Sequence, residues 1–271
     1  MRRSPAWEPD DVDFEAPSVA RMYDYYLGGS HNFAVDRALA DQSIKAWPDL
    51  PHLARANRFF LHRAVKFLGE AGIDQFLDLG SGIPVGGNVH EIARTFTQAS
   101  RTMYVDVDPV AVAHGKALLN DAPDARILQA DLRDPANILT HPVVTGYLDF
   151  SRPVGVLMVS VLPWVPDSDD PARIVAAYRE ACAPGSYVAI SHGTGDYRPD
   201  TTGGVQRIYK QTTTPGTFRS KAQITELLAG YELVSPGLVD VIHWRPDPDT
   251  PDPLDGDVTR YSMYAAVGAL I

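Results

Sequence analysis

Three short apolar segments of this chain each end in residues that could bind a nucleoside-like cofactor. The first segment, residues 75–79, runs into a Gly-Ser-Gly turn, and the second and third end on Asp106 and Asp131. Glycines let a ligand approach the backbone, and carboxylates can accept hydrogen bonds from a ribose diol or an exocyclic amine. This order of groups predicts a mononucleoside cofactor, and the spacing favours S-adenosylmethionine over a dinucleotide.

The glycine turn departs from the dinucleotide-binding pattern Gly-x-Gly-x-x-Gly. Gly80, Ser81 and Gly82 supply its first half, but Val85 stands where the third glycine is needed, directly after Pro84. The triplet alone is also typical of an ordinary tight turn. The cofactor hypothesis therefore depends on the acids that follow it.

Each acid also has a structural interpretation. Asp106 or Asp108 could cap the helix that follows, and Asp108, just before a proline, fits the cap better, which leaves Asp106 and the adjacent Val107 for the ribose. Asp131 could accept from the adenine amine while Leu132 packs on the ring, or it could be a solvated loop residue.

Strands and helices alternate from residue 73 onward and must position these groups. Continuously apolar runs separated by helical segments are typical of a parallel sheet covered on both faces. The last two strands are joined by an acidic, proline-rich loop, so they can pair antiparallel at the sheet edge. The predicted fold is α/β, Rossmann-like, with seven mostly parallel strands and an antiparallel C-terminal edge hairpin. The predicted strands are 75–79, 101–106, 126–130, 154–162, 186–191, 231–239 and 259–270, with helices near 87–96, 109–120, 135–140, 171–182 and 220–229.

The N-terminal part predicts a separate helical unit. Residues 1–17 form a polar arm, residues 18–72 a three-helix cap or lid, and residues 73–271 the sheet domain. The paired glycines Gly28 and Gly29 interrupt the helical pattern and could form a hinge, or simply a connector between two helices.

Several polar side chains of this cap could reach the ligand. Arg21 could pair with the cofactor carboxylate, and Asn32 could hydrogen-bond to it. Tyr23, Tyr25 and Tyr26 lie on different helix faces, so at least one should point inward. We place Tyr23 at the cofactor and Tyr26 in the substrate pocket.

Composition excludes several classes of protein and of site. Twenty-four basic and 34 acidic residues give a net charge of −10, which disfavours a nucleic-acid substrate. One cysteine excludes an internal disulfide framework and fits a reducing cytoplasm. No histidine spacing marks a metal site, no apolar run is long enough to span a membrane, and the N-terminus lacks the apolar core of a signal peptide. We expect a cytoplasmic location and no metal.

Three motifs resemble those of class I S-adenosylmethionine-dependent methyltransferases: Asp78–Gly82, Asp106–Pro109 and Ala130-Asp131. Segments 17–36, 185–192 and 237–246 are similar to a bacterial family called DUF574, or S-adenosyl methyltransferase family 19. The resemblance implies S-adenosylmethionine as cofactor and S-adenosylhomocysteine as product. It implies no particular methyl acceptor.

Methyl transfer mainly needs alignment in a dry site, and a base only for a protonated acceptor. After the fourth strand, Ser160 should contact the cofactor, and Pro163-Trp164 stands where small-molecule methyltransferases often carry histidine. This run also lacks the Asp/Asn-Pro-Pro-aromatic motif of amino-group methylases. Trp164 could line the substrate pocket or fill a core gap.

Two histidines could act as the base, or could simply be hydrogen-bonded loop residues. His192 directly follows the fifth strand and should face the crevice, where it could also contact substrate, and His31 follows the glycine pair. The leading hypothesis is a methyltransferase acting on a small molecule. A cofactor-binding protein without transfer activity and an NAD-linked oxidoreductase are the alternatives, and the oligomeric state is open. A basic patch, of use for an anionic substrate, could form from Arg207, Lys210, Arg219 and Lys221.

Overall fold

A computed structural model describes residues 13–212 and 214–271. Its centre is an eight-stranded mixed sheet. The strands are β1 Gln75–Leu79, β2 Arg101–Asp106, β3 Ala125–Gln129, β4 Gly155–Val159, β5 Tyr187–Gly193, β6 Glu232–Leu233, β7 Val239–Asp240 and β8 Met263–Ala269. The spatial order is β3-β2-β1-β4-β5-β8-β6, and β7 also pairs with β8. The first five strands are parallel, whereas β8 runs antiparallel to β5, β6 and β7.

The helices between the strands begin at residues that favour helix starts. Asp108 caps its helix by accepting hydrogen bonds from the N–H groups of Val110 (2.8 Å) and Ala111 (3.2 Å), as the sequence predicted. The helices are α1 Val19–Tyr26, α2 Ala34–Ala46, α3 Leu50–Glu70, α4 Val89–Ala93, α5 Pro109–Leu118, α6 Pro135–Thr140, α7 Pro142–Thr145, α8 Pro171–Ala181, α9 Pro199–Tyr209, α10 Lys221–Leu227 and α11 Val258–Tyr261. None of these is both long and apolar enough to cross a membrane.

The predicted fold class is confirmed, with several local differences. The strand expected at 231–239 divides into β6 and β7, because Pro236 has no N–H to donate and Gly237 has a φ of +86°. Helices α7 and α9 were not predicted, and the strand expected at 154–162 ends at Val159. The last predicted strand begins with α11 instead and becomes extended only at Met263.

The N-terminal helices share a hydrophobic core with the sheet. One buried cluster contains Met22 and Trp47 from the N-terminal part together with Leu157 and Val267 from β4 and β8. Helix α3 packs directly against β4, β5 and β8. The division into cap and sheet domain stays a prediction, and residues 1–12 of the predicted arm lie outside the described residues.

Candidate functional site

A cavity of about 450 Å³ lies at the carboxyl ends of β1 to β4. Ligands of open α/β sheets bind in this crevice, and the volume is typical of a small-molecule site. Segment 13–23 and helix α3 supply further parts of its wall. The predicted residues that line it are Arg21, Tyr23, Asp78, Gly80, Ser81, Gly82, Asp106, Val107, Asp131, Leu132, Ser160 and Trp164.

The glycine turn positions the carboxylate of Asp106. Gly82 donates its N–H to Oδ2 of Asp106 at 2.7 Å, and the N–H of Asp108 donates to Oδ1 at 2.8 Å. Gly80 and Gly82 have φ values of +72° and +68°, a region that favours glycine. A Cβ on Gly80 would lie 2.2 Å from Val161, whereas one on Gly82 would meet nothing within 4 Å. The turn is therefore tight on one side and open on the other.

Asp78 and Asp106 are two buried acids that face one cavity. Burial raises the pKa of Asp78 to about 7, although the positive charge of Arg58 opposes the shift. Burial likewise raises the pKa of Asp106 to about 6, against the backbone N–H groups that stabilise its charge. No hydrogen bond to the Asp78 carboxylate forms within the described ranges. A ligand that brings a cation or hydroxyl donors would offset the cost of ionising both groups.

Asp131, two residues after the end of β3, is ionised and already paired with an arginine. Arg133 contacts its Oδ2 at 2.5 Å and also reaches Asp169 at 3.0 Å. Partial burial disfavours the charge of Asp131, but the hydrogen bonds from Arg133 outweigh it and hold the pKa of this carboxyl below its usual value. The carboxylate still lines the cavity, beside Leu132.

Helices α1 and α3 contribute a buried polar chain. Asn57 donates from Nδ2 to the Tyr23 hydroxyl at 2.8 Å and accepts from Oγ of Ser191 at 2.5 Å. The Tyr23 hydroxyl donates to the carbonyl of Ala54 at 3.0 Å. Burial raises the pKa of Tyr23, so this phenol stays protonated at neutral pH.

The loop after β4 supplies the aromatic part of the wall. Trp164 donates from Nε1 to the carbonyl of Ser160 at 2.9 Å, and Ser160 has a left-handed φ of 57°. The ring of Trp164 packs against Tyr209 of α9, with the ring centroids 4.8 Å apart. Trp164 thus lines the cavity with a fixed orientation.

Comparison with known proteins decides the family. The model of the S-adenosyl methyltransferase family matches residues 5–270. The chain belongs to this family. A "putative methyltransferase" from Thermobifida fusca YX is 40% identical, with 98% of this chain and 99% of that chain covered and a TM-score of 0.91. A DUF574 family protein from Streptomyces avermitilis MA-4680 is also 40% identical, with 96% and 99% covered and a TM-score of 0.91.

More distant structures show the fold alone. The N-methyltransferase NodS from Bradyrhizobium japonicum WM9, in complex with S-adenosylhomocysteine, is 12% identical, with 92% of this chain and 98% of that chain covered and a TM-score of 0.50. A search of curated proteins found no match. Membership of the S-adenosyl methyltransferase family confirms S-adenosylmethionine as the cofactor and methyl transfer as the activity, and gives no support to the NAD-linked alternative.

The residues of this methyltransferase cavity fit that cofactor. The Ser81 hydroxyl oxygen is buried and has no hydrogen-bond partner in the described part of the chain. Together with the Asp78 carboxylate, which accepts no hydrogen bond from the described residues, it leaves polar groups that a ligand would satisfy. We expect Asp106 to hold the ribose diol and Asp131 the adenine amine.

The structure corrects the expectation that His192 faces the crevice. Its side chain is fully buried and does not line the cavity. Nδ1 donates to the carbonyl of Gly193 at 2.7 Å, and Nε2 accepts from Arg219 at 3.0 Å. Burial lowers the pKa of His192 to about 3, so it cannot act as a base toward substrate at neutral pH. Arg219 is also 2% exposed, which removes it from the expected basic surface patch.

The other predicted residues of the methyltransferase lie outside the cavity wall. Tyr26 is buried and forms a hydrogen bond of 2.8 Å with the Tyr209 hydroxyl, rather than lining a substrate pocket. Asn32 donates to Oδ2 of Asp24 at 2.8 Å, and the ring of His31 contacts that of His114, with centroids 4.0 Å apart and the planes tilted by 57°. The roles of Asn32 and His31 at the ligand therefore gain no support from their positions.

Arg21 lines the cavity but already has an ionic partner. Its Nε lies 2.9 Å from Oδ2 of Asp36, and both side chains are buried. The guanidinium also lies over the ring of Phe33, 5.0 Å from its centroid. A buried pair of this kind positions segment 13–23, and its charge is largely compensated.

Sequence reasoning missed the wall residues that come from helices. These are Ser18 just before α1, Val19 and Ala20 on α1, and Asn57, Arg58 and Leu61 on α3. Asn57 and Arg58 interrupt an apolar helical stripe, and these two polar side chains on an otherwise core-facing helix could have indicated a site. Whether they point into the cavity depends on how α3 is rotated against the sheet, which the local sequence does not specify.

Proposed function

We propose that this methyltransferase modifies a small molecule. The observation that carries the proposal is the cavity of about 450 Å³, which joins the cofactor residues to Tyr23 and Trp164. A concave site of this size suits a small acceptor better than a polymer. The net charge of −10 also argues against a polyanionic substrate.

The chain's own residues would bind, orient and exclude water. When bound, S-adenosylmethionine supplies an activated methyl group on a sulfonium centre. Asp106 would hold the ribose, Asp131 and Leu132 the adenine, and Gly82 would leave room at the turn. Trp164 and Tyr23 would exclude water from the acceptor side, which leaves alignment as the main contribution of the protein.

We infer that the acceptor atom is already unprotonated and nucleophilic when the substrate binds. Among the described residues, the cavity wall contains no histidine, lysine or cysteine. The acids nearest the glycine turn are needed for the cofactor, and Tyr23 stays protonated. An acceptor that is already nucleophilic at neutral pH needs no base.

A labelled methyl group tests the proposal directly. The protein is incubated with S-adenosylmethionine labelled at the methyl group and with the low-mass fraction of a cell extract, and labelled products are separated by chromatography. We expect label in a low-mass product. Asp106→Asn, which would lose the ribose contact, is the control and should give none. Label only in protein or nucleic acid, tested in parallel, would contradict the small-molecule acceptor.

The missing base also supports a second candidate, a cofactor-binding protein without transfer activity. Such a protein would bind S-adenosylhomocysteine tightly and label nothing in whole extract. Calorimetry and the labelling assay on the same preparation separate the two functions.

A further inference from the structure

Arg58 occupies a particular place in the cofactor cavity. Its side chain borders the main cavity and also a small adjoining recess. Asp78, Ser81 and Gly82 border the same two spaces. Arg58 therefore lies on the wall where the glycine turn and helix α3 face each other.

The other cations on the wall are compensated by carboxylates. Arg21 pairs with Asp36 at 2.9 Å, and Arg133 contacts Asp131 and a second acid. Arg58 donates from Nη2 to the carbonyl of Gly87 at 3.0 Å and forms no ion pair with any residue of the described ranges. Its positive charge remains available to a ligand anion.

Arg58 and Asp78 carry opposite charges on one wall without pairing directly. Arg58 is close enough for its charge to favour ionisation of Asp78. The buried hydroxyl of Ser81, which lacks a partner among the described residues, adds a donor from the glycine turn. An unpaired cation, an unpaired anion and a free donor match the two ends of a zwitterionic amino acid.

We propose that Arg58 binds the α-carboxylate of the cofactor's methionine portion while Asp78 holds its ammonium group, so that this wall selects ligands with a complete amino-acid end. This inference rests on the proposed function, because it assumes that the cavity binds the cofactor. It assigns to Arg58 the carboxylate contact that the sequence suggested for Arg21. Arginine suits this role because its planar fork can hold a carboxylate through two parallel hydrogen bonds.

Binding calorimetry with a matched pair of ligands tests the assignment. S-adenosylhomocysteine is compared with S-adenosyl-3-thiopropylamine, which differs only by loss of the carboxylate. We expect the unaltered protein to bind S-adenosylhomocysteine about 10- to 100-fold more tightly, as for a charge-assisted contact. Arg58→Gln should weaken the binding of S-adenosylhomocysteine by a similar factor and change the affinity for the analogue by less than about threefold. The variant should therefore lose the preference for S-adenosylhomocysteine.

Two further variants serve as controls. Arg55→Gln removes an exposed arginine of the same helix that does not line the cavity, and both affinities should be unchanged. Arg58→Lys keeps the charge without the fork and should retain part of the preference. Thermal melting of each variant shows whether it is folded.

The outcomes separate this inference from the proposed function. If the unaltered protein binds S-adenosylhomocysteine less than about threefold more tightly than the analogue, the role of Arg58 is overturned without any variant. The role is also overturned if the preference for S-adenosylhomocysteine persists in Arg58→Gln. Failure of the unaltered protein to bind S-adenosylhomocysteine at all would instead overturn the cofactor site itself.

Discussion

Asp78 and Asp106 make cofactor binding depend on proton equilibria. Both carboxylates are 6% exposed, and burial has raised their pKa values to about 7 and about 6. These values lie above those of an unfolded chain, so between about pH 4 and pH 7 the two acids lower the stability of the ligand-free protein as pH rises. A ligand ammonium or diol reverses this effect because it favours the ionised form.

Affinity for S-adenosylhomocysteine should therefore rise with pH and level off above about 7. Below these pKa values the acids are protonated and accept hydrogen bonds poorly, so we expect at least about tenfold weaker binding at pH 5 than at pH 8. Titration calorimetry at several pH values measures this, and binding should release protons. Asp78→Asn should remove the part of this pH dependence that lies near pH 7, the pKa of Asp78. A flat profile in the unaltered protein would contradict the assignment.

The turn between α1 and α2 is held by one buried carboxylate. Oδ2 of Asp24 accepts from the N–H of His31 at 2.9 Å and from Asn32 at 2.8 Å. A Cβ on Gly29 would lie only 2.0 Å from Oδ1 of Asp24. The glycine pair thus allows a close backbone–carboxylate contact. The predicted hinge role gains no support from this geometry.

Gly29→Ala should destabilise the protein by about 1–3 kcal/mol, because the methyl group must displace Asp24 from its partners. Gly86→Ala is the matched control, since a Cβ there meets nothing within 4 Å. Urea denaturation of both variants measures the difference. Equal stability of the two would show that the turn can relax and that Asp24 does not hold it.

The loop after β4 depends on Arg219. Its guanidinium donates to the carbonyls of Leu162 at 2.9 Å and Val165 at 2.7 Å, and to Asp167 at 2.7 Å. The side chain of Asp167 is 68% exposed, so this ion pair contributes little on its own. Arg219 stabilises the loop mainly because it donates hydrogen bonds to two buried carbonyl groups.

Arg219→Met should cost about 3 kcal/mol of folding stability, because two buried carbonyls lose their donor. Arg207→Met, on the exposed side of α9, should change it by less than about 0.5 kcal/mol. Chemical denaturation compares them, and near-ultraviolet circular dichroism reports on the packing of the aromatic side chains, Trp164 among them. A neutral Arg219→Met would mean that the loop holds its conformation without this contact.

The sequence predicted what local chain pattern determines. Strand ends with a glycine turn or a carboxylate are short-range features, and Asp108 was assigned correctly to the helix cap because that role depends on neighbouring residues. Asp106 lies on the cavity wall, and its contact with the ribose stays a prediction. Helix α9 was missed because Gly203 and Gly204 are poor helix formers, although proline at its start was a valid signal. The orientation of His192 could not be predicted, since the neighbour that buries it, Arg219, is 27 residues away.

Across the whole molecule, one core connects the N-terminal helices to the sheet. Trp47 after α2, Phe60 on α3 and Trp244 before the acidic loop are all fully buried, and the rings of Phe60 and Trp244 pack edge to face with centroids 5.4 Å apart. Elements that share such a core lose their packing together.

We expect a single cooperative unfolding transition. Tryptophan fluorescence, which reports on the four tryptophans including the buried Trp47 and Trp244, and far-ultraviolet circular dichroism, which reports on the sheet and helices, should give the same urea midpoint. S-adenosylhomocysteine at 100 times its dissociation constant should raise stability by about 2.7 kcal/mol in both signals. Separate midpoints would show that the N-terminal helices unfold as an independent unit.

The hydroxyl of Ser18 donates to the carboxylate of Asp108, so the start of α1 is fastened to the loop after β2. Asp13, Ala16 and Ser18 all border the cofactor cavity, so we expect a ligand to enter and leave past this segment. Residence time and affinity are then set by different parts of the molecule. Removing the hydroxyl with Ser18→Ala should speed both entry and departure of S-adenosylhomocysteine in stopped-flow measurements while leaving their ratio nearly constant.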